Sequence, residues 1–224
     1  MKKLILLLVL VSVTFTSWAQ TKETVAILGD SYSTYEGFIP TGNEIWYFQP
    51  QRDDRTDVND VKQTWWWKVV KEGGFKLGVN DSYSGATICY TGYRDEDYTK
   101  RSFVQRLANL GSPDILFVFG GTNDSWAGAP LGEFKYTDIK HADLFCFRPA
   151  MAYMLQGLLS HYPNTKIYVL INDGLSKEVT EAMKIISKHY SVPTIELSGI
   201  DKKGGHPTIK GMEQIKQQVL AHIR

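Results

Sequence analysis

Three short segments carry residue types that together could perform acyl transfer. Gly29-Asp30-Ser31 supplies a hydroxyl, Gly121-Thr122-Asn123-Asp124 a primary amide, and His206-Pro207 an imidazole. A serine becomes a nucleophile when a neighbouring base takes its proton, and histidine suits that task near neutral pH. An amide N–H can stabilise the oxyanion that develops on an ester carbonyl under attack. Each segment alone reads equally well as a turn or helix cap, where Ser, Asn and Asp are ordinary. Their shared position, just past apolar runs, sets them apart.

Those runs are the elements that must position the three groups. Residues 24–28, 114–119, 166–171 and 194–197 read as strands, with a weaker candidate at 75–79. The runs at 115–119 and 167–171 are unbroken β-formers, as expected of strands covered on both faces of a parallel sheet. Helical patterns fall between them, at 61–71, 103–110, 149–162, 177–189 and 208–223. Strands alternating with helices predict a doubly wound α/β fold: one domain over residues 20–224, with a mainly parallel five-stranded sheet and helices on both faces. Ligands of such sheets bind beyond the C-terminal ends of the strands, which is where Ser31, Asn123 and His206 follow.

In order and content these segments resemble the SGNH (GDSL-type) hydrolase superfamily, whose fold is flavodoxin-like. The resemblance implies Ser31 as nucleophile, His206 as general base, and an oxyanion hole formed by Ser31, Gly85 and Asn123. Gly85, within Asn80-Asp81-Ser82-Tyr83-Ser84-Gly85-Ala86, is the loosest of these matches. The family places an Asp three residues before the histidine, and here that position is Lys203. Either Gly204 and Gly205 loop the chain so that Asp201 orients the imidazole, or a backbone carbonyl does so in a Ser–His dyad. Asp30, Tyr32, Asp124 and Trp126 are the expected pocket residues. The implied activity is hydrolysis of small acyl esters or acylated carbohydrate, without cofactor or metal. A catalytically silent carbohydrate-binding module and an acyltransferase are the alternatives on the same fold.

Other chemistries lack their signatures. The chain has no G-x-S-x-G elbow, no phosphate-binding G-x-x-x-x-G-K-[ST] and no H-E-x-x-H among its five histidines. His161, His189 and His222 fall in or near helix C-termini, where the dipole favours positive charge, and read as surface residues. His141 lies in a loop without an assigned role.

The N-terminus reads as a signal peptide spanning residues 1–19: Lys2 and Lys3, an apolar stretch, then small residues at Ser17 and Ala19. The stretch is too short to span a bilayer and no other segment is apolar enough, so the expectation is export to the periplasm or beyond. Removing those residues takes two lysines and no acid, turning a net charge of +1 into −1. No basic field points to nucleic acid. In an oxidising compartment Cys89 and Cys146 could pair, or both could remain buried thiols. Aromatic residues, 12% of the chain, crowd the segments after Ser31 and Asn123. They read either as a substrate surface or as packing for the 38–61 insertion, whose role as a lid is open.

Overall fold

The computed structural model describes residues 21–49 and 54–223; the expected signal peptide lies outside them. Five strands form one all-parallel sheet: β1 (Thr24–Gly29), β2 (Lys76–Ser82), β3 (Ile115–Phe119), β4 (Lys166–Ile171) and β5 (Thr194–Glu196). Their spatial order is β2-β1-β3-β4-β5, so the chain reverses direction across the sheet between β1 and β3. That switch point opens a crevice at the C-terminal edge, directly beyond Gly29 and Phe119. The expected doubly wound α/β fold is the one observed.

Among the described residues six α-helices complete the layers: α1 (Trp65–Glu72), α2 (Phe103–Arg106), α3 (Thr122–Ala127), α4 (Phe147–His161), α5 (Lys177–His189) and α6 (Ile209–Ile223). Alternate residues of the central strands face opposite ways and seed two cores. On one face Ala26, Leu28, Leu116 and Val118 meet Met151, Leu155 and Met183. On the other Val25, Ile27, Phe117 and Phe119 meet Trp65, Val69 and Ile215. Two of the three consecutive tryptophans, Trp65 and Trp66, are buried, as a helix carrying three adjacent rings requires.

A short antiparallel hairpin, β6 (Lys202–Lys203) with β7 (His206–Pro207), precedes α6. Its loop is Gly204-Gly205, both at positive φ (55° and 79°), the conformation a two-residue hairpin turn demands. A Cβ on Gly205 would also stand 3.0 Å from the Trp126 ring. The two glycines therefore serve the turn that carries His206.

The strand ends are locked by a buried cation. Arg106, 4% exposed, donates through Nη2 to Gly29 O at 3.2 Å and through Nη1 to Asp81 Oδ1 at 3.1 Å. Nη1 also donates to Asp81 O, and Nε to Arg101 O at 2.8 Å. Replacing Arg106 with Met leaves the Asp81 carboxylate buried without its partner, a change that typically costs about 3–5 kcal/mol. R106M should lower the urea unfolding free energy by that amount.

Candidate active site

Ser31 opens a short 3-10 turn, Ser31–Ser33, directly after β1. Asp30 caps the turn, its carboxylate accepting from Tyr32 N at 3.0 Å, and Asp30 N donates to Phe119 O at 3.2 Å. Gly29 has no room for a side chain: a Cβ there would stand 2.4 Å from Ser82 Oγ and 2.7 Å from Ser33 Cβ. The glycine is thus needed for close approach of the turn to β2.

His206 arrives from the hairpin with Nε2 at 2.9 Å from Ser31 Oγ. Its Nδ1 lies 3.2 Å from Gly204 O. A carbonyl accepts only, so this contact fixes the proton on Nδ1 and leaves the Nε2 lone pair for the serine hydroxyl. Asp201 does not reach the ring. Its carboxylate accepts from Thr208 Oγ1 and its carbonyl from Thr208 N, so Asp201 fastens the entry to α6. The loop through Gly204 and Gly205 turns back on itself within the hairpin instead of carrying Asp201 across.

The hairpin is held in place by tyrosines. Tyr32 donates its hydroxyl to Gly205 O at 2.5 Å and Tyr47 donates to Pro207 O at 3.1 Å, so the carbonyls before and after His206 are both pinned. Trp46 stacks flat on the imidazole, 3.5 Å between ring centres and 9° between planes. Trp126 meets it edge-on at 5.8 Å. These covers strip water from His206, and burial pulls its pKa from 6.5 to about 4.

Asn123 sits in the first turn of α3, entered through Gly121 at φ 86°. Tyr93 donates its hydroxyl to Asn123 Oδ1 at 2.8 Å, and Asn123 Nδ2 donates to Ala86 O at 2.9 Å. The amide orientation is thereby set, with the second Nδ2 hydrogen left over. Asp124 accepts from Ile88 N at 2.8 Å and Cys89 N at 3.1 Å, clamping the loop that follows Gly85 onto α3. The backbone N–H groups of Ser31 and Gly85 have no acceptor among the described residues.

Of the four expected pocket residues, only Trp126 lies at the surface, 44% exposed beside His206. Asp30, Tyr32 and Asp124 are interior, because capping the serine turn, pinning the hairpin and clamping the Gly85 loop all draw them inward. Burial raises the Asp30 pKa to about 7 and that of Asp124 to about 6. Cys89 and Cys146 are free thiols. Among the described residues no cluster of His, Cys, Asp or Glu could hold a metal ion, and no helix is long and apolar enough to cross a membrane. Trp46, Tyr47, Tyr93 and Arg106 were not singled out by sequence; only the aromatic density after Ser31 hinted at the first two.

The burial of His206 is measurable. An NMR titration should show its imidazole remaining neutral down to about pH 4, and W46A, by readmitting water, should move the midpoint up toward 6.5. A wild-type midpoint at 6.5 would contradict the closed geometry.

The model of the family "GDSL-like Lipase/Acylhydrolase" matches residues 23–223. Among solved structures, a GDSL-like lipase from Bacteroides ovatus is 53% identical, covering 92% of this chain and 99% of that one, with a TM-score of 0.90. A GDSL-like lipase from Bacteroides uniformis is 49% identical over 91% of this chain and 96% of the other, with a TM-score of 0.89. A family two carbohydrate esterase from Clostridium thermocellum, solved with cellohexaose, shares the fold at 13% identity, 91% and 64% coverage and a TM-score of 0.61. No curated protein matches the chain. With the serine, amide and imidazole segments lying in the matched span, the chain belongs to the GDSL-like lipase/acylhydrolase family, within the SGNH superfamily of ester-bond hydrolases.

Proposed function

We propose that the protein is an exported serine esterase that cleaves small acyl esters or acylated carbohydrate through an acyl-enzyme on Ser31. The observation that carries this reading is the 2.9 Å contact between Ser31 Oγ and a His206 Nε2 free to accept its proton. A binding module that had lost its chemistry would have no need to keep that contact under cover.

Ser31 Oγ attacks the ester carbonyl carbon while its proton passes to His206 Nε2. The carbonyl oxygen, now an oxyanion, accepts from the N–H groups of Ser31 and Gly85 and from the spare Asn123 Nδ2 hydrogen. Collapse of the tetrahedral intermediate breaks the ester C–O bond, and the alcohol leaves with the proton from Nε2. Water then attacks the acyl-enzyme, with His206 again as base, and releases the acid. Gly204 O plays the orienting part that a carboxylate plays in a triad. The exposed Trp126 ring beside His206 offers a face on which a sugar can stack, which supports a carbohydrate alcohol.

The test is release of p-nitrophenol from the acetate, butyrate and octanoate esters. S31A should abolish release, and N123A should lower kcat by about 10²–10³-fold with circular dichroism unchanged. Activity should fall sharply beyond acetate. Release that survives in S31A, or wild-type kinetics in N123A, would overturn the assignment. Export is checked by sequencing the N-terminus of the protein recovered outside the cytoplasm.

A further inference from the structure

A second cavity, with no part in the acyl-transfer steps above, lies beside the Gly85 loop. It encloses about 620 Å³ between Tyr83, Asp97, Tyr98, Lys100, Arg101 and His141. Arg101 is its central group. The guanidinium carbon lies 4.3 Å from the Tyr98 ring centre and 5.2 Å from that of Tyr83. Nη1 is 3.9 Å from the position a Cβ on Gly85 would take, so the cation adjoins the proposed oxyanion loop.

The main chain of Arg101 is fixed while its charge is not satisfied. Its N–H donates to Tyr98 O at 3.0 Å and its carbonyl accepts from Arg106 Nε at 2.8 Å. No carboxylate or carbonyl among the described residues accepts a hydrogen bond from its guanidinium. The nearby acid, Asp97, makes no ion pair with Arg101: its Oδ1 accepts from Thr99 N at 2.8 Å. A guanidinium held by aromatic faces, with its donors open, is organised in advance for a planar anion. Lys100, which also lines the cavity, offsets the charge of Asp97 and leaves that of the guanidinium uncompensated. An apolar acyl chain placed here would strip water from these groups with nothing in return. The half-buried Tyr83 ring, with the guanidinium 5.2 Å from its centre, in contrast suits a sugar unit.

We infer that this cavity is a subsite for a carboxylate carried on the alcohol side of the substrate, so that the ester hydrolysed is an acylated acidic carbohydrate of the uronic acid type. The inference rests on the esterase reading above and narrows its substrate class.

Calorimetric titration of the S31A protein, which leaves the ester intact, tests it with two probes: acetylated trigalacturonate and the methyl ester of the same oligosaccharide. The charged probe should bind at least about tenfold tighter at low salt, as expected for charge-assisted bonds to a guanidinium. R101M in the S31A background should bring the two within about twofold, while R101K, which keeps the charge but loses the fork, should retain part of the preference. Circular dichroism confirms that each variant is folded. Equal binding of both probes, no binding of either, or a preference untouched by R101M overturns the subsite. Hydrolysis of p-nitrophenyl acetate by the unaltered protein is measured alongside. Ser31-dependent release without a charge preference removes the subsite and leaves the esterase; a preference without release keeps the subsite and removes the esterase.

Discussion

One buried guanidinium holds the C-terminal edge of the sheet together. Arg106 projects from the single-turn helix α2 to the ends of β1 and β2, where it bonds Gly29 O, Asp81 O and the Asp81 carboxylate, and also reaches back to Arg101 O. Taking such a charge out of water costs several kcal/mol, so it persists only where nearly every donor is satisfied. Every one of those acceptors lies next to something the site needs. Gly29 leads to the serine turn, Asp81 to the loop containing Gly85, and Arg101 to the second cavity. The same cation that stabilises the strand ends therefore fixes the proposed nucleophile relative to the proposed oxyanion loop. A hydrophobic side chain could fill the space, but it could not join four oxygens at one point.

The second constraint is the lack of a carboxylate behind His206. In a triad that group fixes the imidazole tautomer and stabilises the imidazolium. Here Gly204 O fixes the tautomer, and the hairpin supplies the rigidity, with Tyr32 and Tyr47 bonded to the carbonyls on either side of the histidine. A carbonyl dipole stabilises the imidazolium less than a full charge does, and the Trp46 stack removes water as well. Burial lowers the pKa to about 4, Arg55 and Lys202 push the same way, and the Gly204 carbonyl recovers only part of the loss. The proposed dyad gains a base that is neutral through mildly acidic pH, at the expense of intrinsic basicity. In the proposed reaction, the developing oxyanion supplies a negative charge that helps to offset this loss.

The strands and five of the six helices among the described residues were legible because their signal is local. Unbroken apolar runs can only be strands covered on both faces, and Lys177–His189 carries a clean helical stripe. Helix α3 was missed: six residues behind two glycines give no periodicity, and Gly121 enters it in a left-handed conformation. The serine, amide and histidine segments were legible as motifs, whereas their supports were not. Asp30, Tyr32 and Asp124 are polar residues beside a motif, and the sequence does not show that backbone N–H and carbonyl groups would draw them inward. Tyr93 reaches Asn123 from a turn in which Arg94 and Asp95 adopt positive φ, a conformation no local pattern announces. Whether Asp201 or a carbonyl faced the imidazole depended on a two-residue turn closing between them, which is a matter of geometry rather than composition.

The ionisable groups beneath the site act on stability in opposite directions. Asp30 and Asp124 have folded pKa values raised to about 7 and about 6, so the stability they contribute is present at low pH and is lost as pH rises above the ordinary carboxylate range. His206 has a lowered folded value, so its contribution is present above 6.5 and is lost as pH falls toward about 4. Between about pH 4 and pH 6, then, the folded protein keeps protons on two carboxyls that unfolding would release, and withholds one from an imidazole that unfolding would protonate. Among these three groups the two carboxyls outweigh the one imidazole, so their joint contribution to stability declines with rising pH in that window even as the imidazole stays neutral. Chemistry and stability thus favour different ends of the same range. This is the expected signature of groups buried for positioning and reactivity rather than for the fold.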